Sequence, residues 1–410
     1  MTAIDGRTLR AWRRSRGWDA PDMGQRLRNA ARQYGVPVAA HSGLVRMIFA
    51  WERGDHGMTE RYELLYAAAL GIRPEQLAGG PPEEEEDVDR REFGLATMGL
   101  LAGNLIPTAK IPATVTAGHV RELRASASAI WTRDRIIGGN TQLHEATGQY
   151  STARAMLDRS DYTSTVGAEL QTVAAELASC TGFAAHDAGH QSLARGLLTE
   201  AVLLAAGEPL LSVRAYGLLA LQSNALAVSN PGRAREALRF LDLAGTAARH
   251  EPSPRVHALI WMRRATASGV LGDDVTVRRS IDNARRELDR GDHPADPQWT
   301  GFVDSTEVTA HEAIARLTQG KPSIAARLFS DVLDDPELPP RNRALYTAQL
   351  AASFQAAGDQ AKAVGAGVQV LTALEGTVRS ARVLHELQPV RQAARPDGEF
   401  AARYDAALAS

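Results

Sequence analysis

The chain has 410 residues, of which 44% are hydrophobic, only 5% are aromatic and one, Cys180, is a cysteine. That length exceeds one small core, the apolar fraction excludes broad disorder, and the scarcity of aromatics favours close-packed helices over sheets. A single cysteine excludes an internal disulfide framework and a thiolate-cluster zinc site, and a formal net charge of −2 says nothing about partners until it is divided along the chain.

Residues 1–78 hold twelve Arg, no Lys and eight acids, a net of +4, while the remainder holds 34 basic and 40 acidic residues, a net of −6. A basic head on an acidic body suits a polyanion binder whose body stays off the polyanion. Thr8–Arg16 predicts a first helix with Leu9 and Trp12 inward, broken at Gly17-Trp18-Asp19. Asp19 can cap a second helix from about Ala20 to Tyr34 that buries Met23 and Leu27. Gly35-Val36-Pro37-Val38 reads as extended. Ser42 can cap a third helix, Gly43–Glu52, whose Leu44, Ile48 and Trp51 share one face; Gly54 ends it. A fourth helix, Thr59–Ala69, ends at Gly71, and Pro74–Leu77 adds a last turn. Five short helices in this span can present one of them to a DNA major groove.

Gly79-Gly80-Pro81-Pro82 and the acidic run Glu83–Asp89 mark a solvated linker, residues 79–91. Arg90-Arg91-Glu92-Phe93 before the apolar run Gly94–Leu101 imitates a twin-arginine export signal. Behind a folded head it reads instead as the first helix of a second domain. Residues 92–164 form a helical connecting region with a stop and restart at Asp134–Asn140. No N-terminal signal pattern and no apolar run near membrane-spanning length occur, so the expectation is a cytoplasmic protein with no membrane partner.

From 165 to 410 the chain reads as helix pairs. Turns at Gly189, Gly232, Gly272, Gly320 and Gly358 precede Ala/Leu-rich stretches Ser192–Ala206, Arg233–Ala247, Val275–Leu288, Ser323–Leu333 and Gln360–Leu374. A helix–turn–helix unit recurring about every 40 residues predicts an α-solenoid. The expected fold is all-α: a small helix-turn-helix domain followed by a helical repeat.

Three motifs in order carry a family resemblance: Leu9…Arg16-Gly17-Trp18, then Trp51-Glu52-Arg53-Gly54, then Tyr62…Leu65…Ala69-Leu70-Gly71-Ile72. They resemble the Cro/CI-type (XRE) helix-turn-helix domain over residues 6–78. The paired helices of 165–375 resemble tetratricopeptide repeats. The chain as a whole is similar to actinobacterial regulators that join such a head to such a body, and Arg28–Ala40 departs from the usual tight turn as longer members do. The resemblance implies a transcriptional regulator that binds double-stranded DNA as a homodimer. Its body would sense a peptide, a small molecule or a partner protein.

With Leu44, Ile48 and Trp51 inward, Val45, Arg46 and Phe49 face outward. Arg46 is the best base reader, because a guanidinium can contact guanine through two hydrogen bonds. His41 and Ser42 sit at the helix start, and Arg53, Arg10, Arg13 and Arg14 are candidates for positioning phosphates. In the body, Asn224, Arg264 and Asp304 are candidates to hydrogen-bond a ligand, with Trp261 and Trp299 as flat apolar contacts. His186-Asp187-Ala188-Gly189-His190 has a metal-like histidine spacing but reads as a turn, and no phosphate loop, nucleophile elbow or dinucleotide fingerprint occurs. The expectation is no catalysis, no metal and no cofactor. The alternative is an adaptor whose head no longer binds DNA and whose repeats dock a protein.

Overall fold

The computed structural model describes residues 5–15, 18, 20–33, 36–70, 72, 77, 110–205, 207–228 and 230–409. The chain divides into two compact units, Met1–Val88 and Asp89–Ser410, here the head and the body. Every regular element among the described residues is a helix, and the fold is all-α. The acidic linker, the twin-arginine-like segment, the Asp19 cap and the Arg14 side chain lie outside the described residues. No described helix is long and apolar enough to cross a membrane.

The head holds α1 (Gly6–Ser15), α2 (Ala20–Gln33), α3 (His41–Arg53) and α4 (Glu60–Leu70). Leu9, Trp12, Met23, Leu27, Leu44, Ile48, Trp51, Leu65 and Tyr66 form its core. The Trp12 indole N–H donates to the Leu77 carbonyl at 3.1 Å and ties the end of the head to its first helix. Ser42 does not cap α3: the helix begins two residues earlier than expected, at His41, Ala40 is its N-cap, and no side chain caps it. Gly54 ends α3 with φ of 80°, the left-handed conformation that favours glycine.

The body begins with α5 (Ala117–Ile137) and α6 (Leu143–Arg159). Both pack in the same apolar cluster as α7 (Ser164–Asp187), through Val120, Ile130, Tyr150, Leu170 and Leu177 among others. Then come α8 (Gln191–Leu204), α9 (Pro209–Leu226), α10 (Gly232–Ala247), α11 (Pro254–Val270) and α12 (Asp274–Leu288). After them run α13 (Ser305–Thr318), α14 (Pro322–Leu333), α15 (Pro340–Ala356) and α16 (Gln360–Glu375). Three short helices close the chain: α17 (Ala381–Glu386), α18 (Gln388–Ala393) and α19 (Glu399–Ala409). Gly232 is not the turn glycine its spacing suggests; it is the first residue of α10, held by its N–H on Asn230 Oδ1.

Each odd-numbered helix from α7 to α15 packs on its successor and on the next odd-numbered helix, so these five form an inner layer. Their sequences explain the placement. α11 buries Val256, Ala258, Leu259, Met262, Ala265 and Ala267, leaving His257, Trp261 and Arg264 along one partly exposed edge. A helix buried on more than one stripe belongs to the interior. α12 buries only Val277, Ser280, Ile281 and Ala284, one stripe of an outer helix.

The body closes on itself. The Arg379 N–H donates to the Ile137 carbonyl at 2.6 Å, and the Ala381 N–H to Asn140 Oδ1 at 3.1 Å, bringing the last helices onto the first. Asp187, in the last turn of α7, is the centre of this closure. Its Oδ1 accepts from Arg341 Nη2 at 2.8 Å and from Arg382 Nε at 3.1 Å, and its Oδ2 accepts from the Gly139 N–H at 2.9 Å. Burial raises the carboxyl's pKa, but the two guanidiniums and the amide outweigh it and hold the group below the ordinary aspartate range. Asp134 is 3.7 Å from Arg341 with its Oδ1 unpartnered, and burial pushes it the other way, upward.

Two histidines are enclosed in the same interior. His186 packs 6.4 Å from Phe183, and its Nδ1 lies 2.9 Å from Gln191 Oε1. His311 Nδ1 lies 2.8 Å from Thr266 Oγ1. Burial, reinforced by Arg382 beside His186 and Arg263 beside His311, lowers both to about 3.

Asp187→Asn keeps the shape but leaves Arg341 and Arg382 short of a countercharge. It is expected to destabilise the body by about 3–5 kcal/mol, read from urea unfolding of the full chain. A change under about 1 kcal/mol would show that the closure does not depend on this charge. A second expectation concerns pH. A histidine whose folded pKa lies below its unfolded value contributes stability that is lost as pH falls through the unfolded value of roughly 6.5. The stability difference between the wild-type chain and His311→Asn is therefore expected to shift against wild type by about 1.4 kcal/mol per pH unit below that point. Parallel unfolding curves from pH 7.5 to 5 would contradict a neutral His311.

Candidate nucleic-acid interface

The outer face of α3 is set by what its inner face must do. Leu44 and Ile48 are fully enclosed, and Trp51 packs on Tyr62 with ring centroids 5.1 Å apart. Helical spacing then turns Ser42, Arg46, Phe49 and Arg53 outward, and all four are exposed, Phe49 at 43%. Arg46 stands free of any hydrogen bond or ion pair among the described residues. An exposed phenylalanine between two exposed arginines gives this face both apolar and hydrogen-bonding character.

His41 and Val45 are half-buried because they lie against α2 at Gly24. A Cβ on Gly24 would stand 3.3 Å from His41 Cε1 and from Val45 Cγ2, so the missing side chain lets the two helices approach. The His41 Nδ1 is enclosed there without a partner. These two residues belong to the seam between α2 and α3 more than to the open face.

The arginines of α1 separate into different roles. Arg13 is not a phosphate ligand: it is 8% exposed and grips Glu52 through two bonds, Nε to Oε1 at 2.5 Å and Nη2 to Oε2 at 2.7 Å. Its Nη1 donates to the Trp18 carbonyl at 2.8 Å. Arg10 reaches the same carboxylate at 3.4 Å with much of its side chain in solvent. Arg53 pairs with the exposed Asp55 at 2.7 Å, a contact of little energy that a stronger anion could displace.

Glu52, not singled out by its sequence position, is thus the buried anion that joins α1 to the end of α3. Gly6 serves the same junction, since a Cβ there would collide with the Trp51 carbonyl oxygen. Around it Arg7, Arg10 and Arg53 line an open cleft of about 730 Å³ with Asp5 and Asp55. Arg7 also escapes sequence reasoning, because an arginine in the first turn of a helix carries no signal of its own.

The body residues expected to contact a ligand do not form one site. Asn224 is buried and donates to the Arg263 carbonyl at 3.0 Å, joining α9 to α11. Asp304 is the N-cap of α13, accepting from the Glu307 N–H at 2.8 Å, so its carboxylate has a structural duty. Trp299 packs within the apolar clusters around α11. Only Trp261 and Arg264 share a cleft, about 430 Å³, with Asp242, Arg249 and His257; Arg264 is tied to Asp242 across it. His186 and Asp187 are enclosed, and no group of three potential ligands for a metal occurs among the described residues.

Comparison with family models, with curated proteins and with solved structures finds no match to this chain.

Glu52→Gln is expected to destabilise the head by about 3–5 kcal/mol, because Arg13 would remain enclosed without its countercharge. Thermal unfolding of the full chain monitored by the fluorescence of the head tryptophans would read this. An unchanged head transition would mean that Arg13 finds another acceptor.

Proposed function

We propose that the chain is a sequence-specific DNA-binding transcriptional regulator. In this reading the head is a Cro/CI-like helix-turn-helix domain, and α3 enters the major groove. The body is a tetratricopeptide-like repeat that receives a signal, pairs two copies of the chain, or does both. The observation that carries the reading is the division of α3 into an enclosed face of Leu44, Ile48 and Trp51 and an open face of Ser42, Arg46, Phe49 and Arg53. Arg46 would read a base edge, and Phe49 would meet a thymine methyl. Arg7, Arg10 and Arg53, which line one cleft at the end of α3, would hold the phosphates beside it. The head's net charge of +4 against −6 for the rest of the chain supports the same assignment of roles.

Two heads on a duplex would read half-sites about one helical turn apart. A signal held by the body would act only by binding two body conformations with different affinity. The exposed Phe49 also fits the rival reading, an adaptor whose α3 docks a protein.

Footprinting of the tagged protein on genomic DNA would supply the operator. On that operator, at fixed salt, Arg46→Ala is expected to cost about 1–3 kcal/mol of specific affinity and to relax preference at one base position. An affinity that neither falls with added salt nor prefers a sequence would favour the adaptor.

A further inference from the structure

Two arginines on neighbouring inner helices of the body lack the partners that enclosed cations require. Arg214, on α9, is 7% exposed. Its guanidinium lies between two indoles, 4.5 Å from the Trp131 ring centre and 5.6 Å from that of Trp299. Among the described residues it makes no hydrogen bond and no ion pair. Arg263, on α11, is 4% exposed, and its Nε is enclosed without an acceptor. Its Nη1 occupies the space a Cβ on Gly217 would need, 2.5 Å from that position. Gly217 is one turn beyond Arg214 on α9, so the two side chains flank the same stretch of helix. The acids nearest in effect are Glu176 for Arg214 and Glu307 for Arg263, and neither makes an ion pair with its arginine; Glu307 accepts instead from the Tyr346 hydroxyl at 2.6 Å.

Contrast sharpens the point. Arg341 and Arg382, equally interior, share Asp187. Arg195 has Glu236 at 3.0 Å, and Arg264 has Asp242. Arg214 and Arg263 alone among these six interior or half-buried arginines of the body have no carboxylate within ion-pair distance among the described residues. Burial lowers the pKa of both, that of Arg263 to about 10. An enclosed cation without a direct ion-pair partner is costly to keep. The surrounding groups add donors: the Trp131 indole N–H is also enclosed without a partner. The indole faces hold the Arg214 guanidinium by cation–π attraction, and its forked N–H donors suit a planar anion.

We infer that the inner layer of the body binds a small anionic ligand through Arg214 and Arg263, with its carboxylate or phosphate on the guanidiniums and Trp131 and Trp299 flanking it. This deepens the sensor reading of the body and rests on it for its regulatory meaning, while the binding itself is independent of the head. The ligand supplies the direct ion-pair partner that both guanidiniums lack, and its affinity comes from that pairing in an enclosed setting.

The test uses the full chain without DNA. Thermal unfolding is followed against inorganic phosphate and against benzoate, with chloride replaced so that ionic strength stays fixed and with neutral benzamide as control. A saturable rise in Tm with phosphate, benzoate or both, absent with benzamide and at least tenfold weaker in Arg214→Met, is the expected result; which anion acts separates a phosphate from a carboxylate ligand. No saturable rise with either anion, or the same rise in Arg214→Met, overturns the inference. Should Arg214→Met lack the wild-type circular dichroism, Arg263→Met and then Arg214→Lys, which keeps the charge but loses the forked donor, make the same comparison with the same expected weakening. A parallel titration of the wild-type chain on its operator with and without the anion separates the two readings. Anion binding with unchanged DNA affinity upholds the site and overturns its regulatory meaning.

Discussion

Asp187 sits fully enclosed at the end of α7, and each bond to its carboxylate comes from a distant part of the chain. Gly139 is 48 residues before it, Arg341 is 154 after it and Arg382 is 195 after it. A stack of helix pairs has only nearest-neighbour contacts and can end anywhere. These bonds instead tie the first pair to the last. The carboxylate is tolerated there because it accepts hydrogen bonds from two cations and an amide; without them its desolvation would exceed any Coulomb gain.

The head uses the same device on a smaller scale. Glu52 is 4% exposed and holds Arg13 by a two-bond fork, so α1 and the end of α3 are pinned together by one enclosed carboxylate. Apolar packing alone would allow α3 to roll slightly against α1, because Leu44 and Ile48 are nondirectional contacts. A forked ion pair has direction as well as energy. It fixes the rotation of α3, and the rotation decides which side chains stand on its open face.

How much of this is legible in the sequence depends on the physics each feature obeys. The inward residues Leu9, Trp12, Met23, Leu27, Leu44, Ile48 and Trp51 follow from the 3.6-residue period and are enclosed as that period requires. The outward setting of Arg46 and Phe49 follows from the same period. The second helices of the body pairs begin within one residue of their expected positions, because a turn glycine or proline punctuates each boundary. What local pattern does not contain is the pairing of charges over long separations. Arg13 looks like Arg10 until Glu52, 39 residues on, is brought to it. Asp187 looks like a turn residue until Arg341 and Arg382 arrive. Ser42 looks like a cap, but its helix starts at His41 without one, since no rule forces the cap side chain to be used.

A signal for the interior cations does exist in the sequence, although reading helices singly hides it. α9, α11 and α15 are buried over most of their circumference, so a charge anywhere but on the rim-facing edge must be enclosed. Arg214, Arg263 and Arg341 are such charges. By contrast Arg264 follows Arg263 immediately, yet it lies at the rim with Asp242, because one residue of rotation carries it some 100° around the helix. Adjacent arginines therefore have opposite fates, one paired at the surface and one enclosed. The pairing of Arg341 through Asp187 serves closure of the body. The cations of Arg214 and Arg263 serve no closure, and Gly217 gives up its side chain so that one of them can fit. Retaining an enclosed charge without a direct ion-pair partner in an Ala-rich interior is a continuing cost to folding. It is the kind of local inconsistency that working sites carry and that packing alone does not explain.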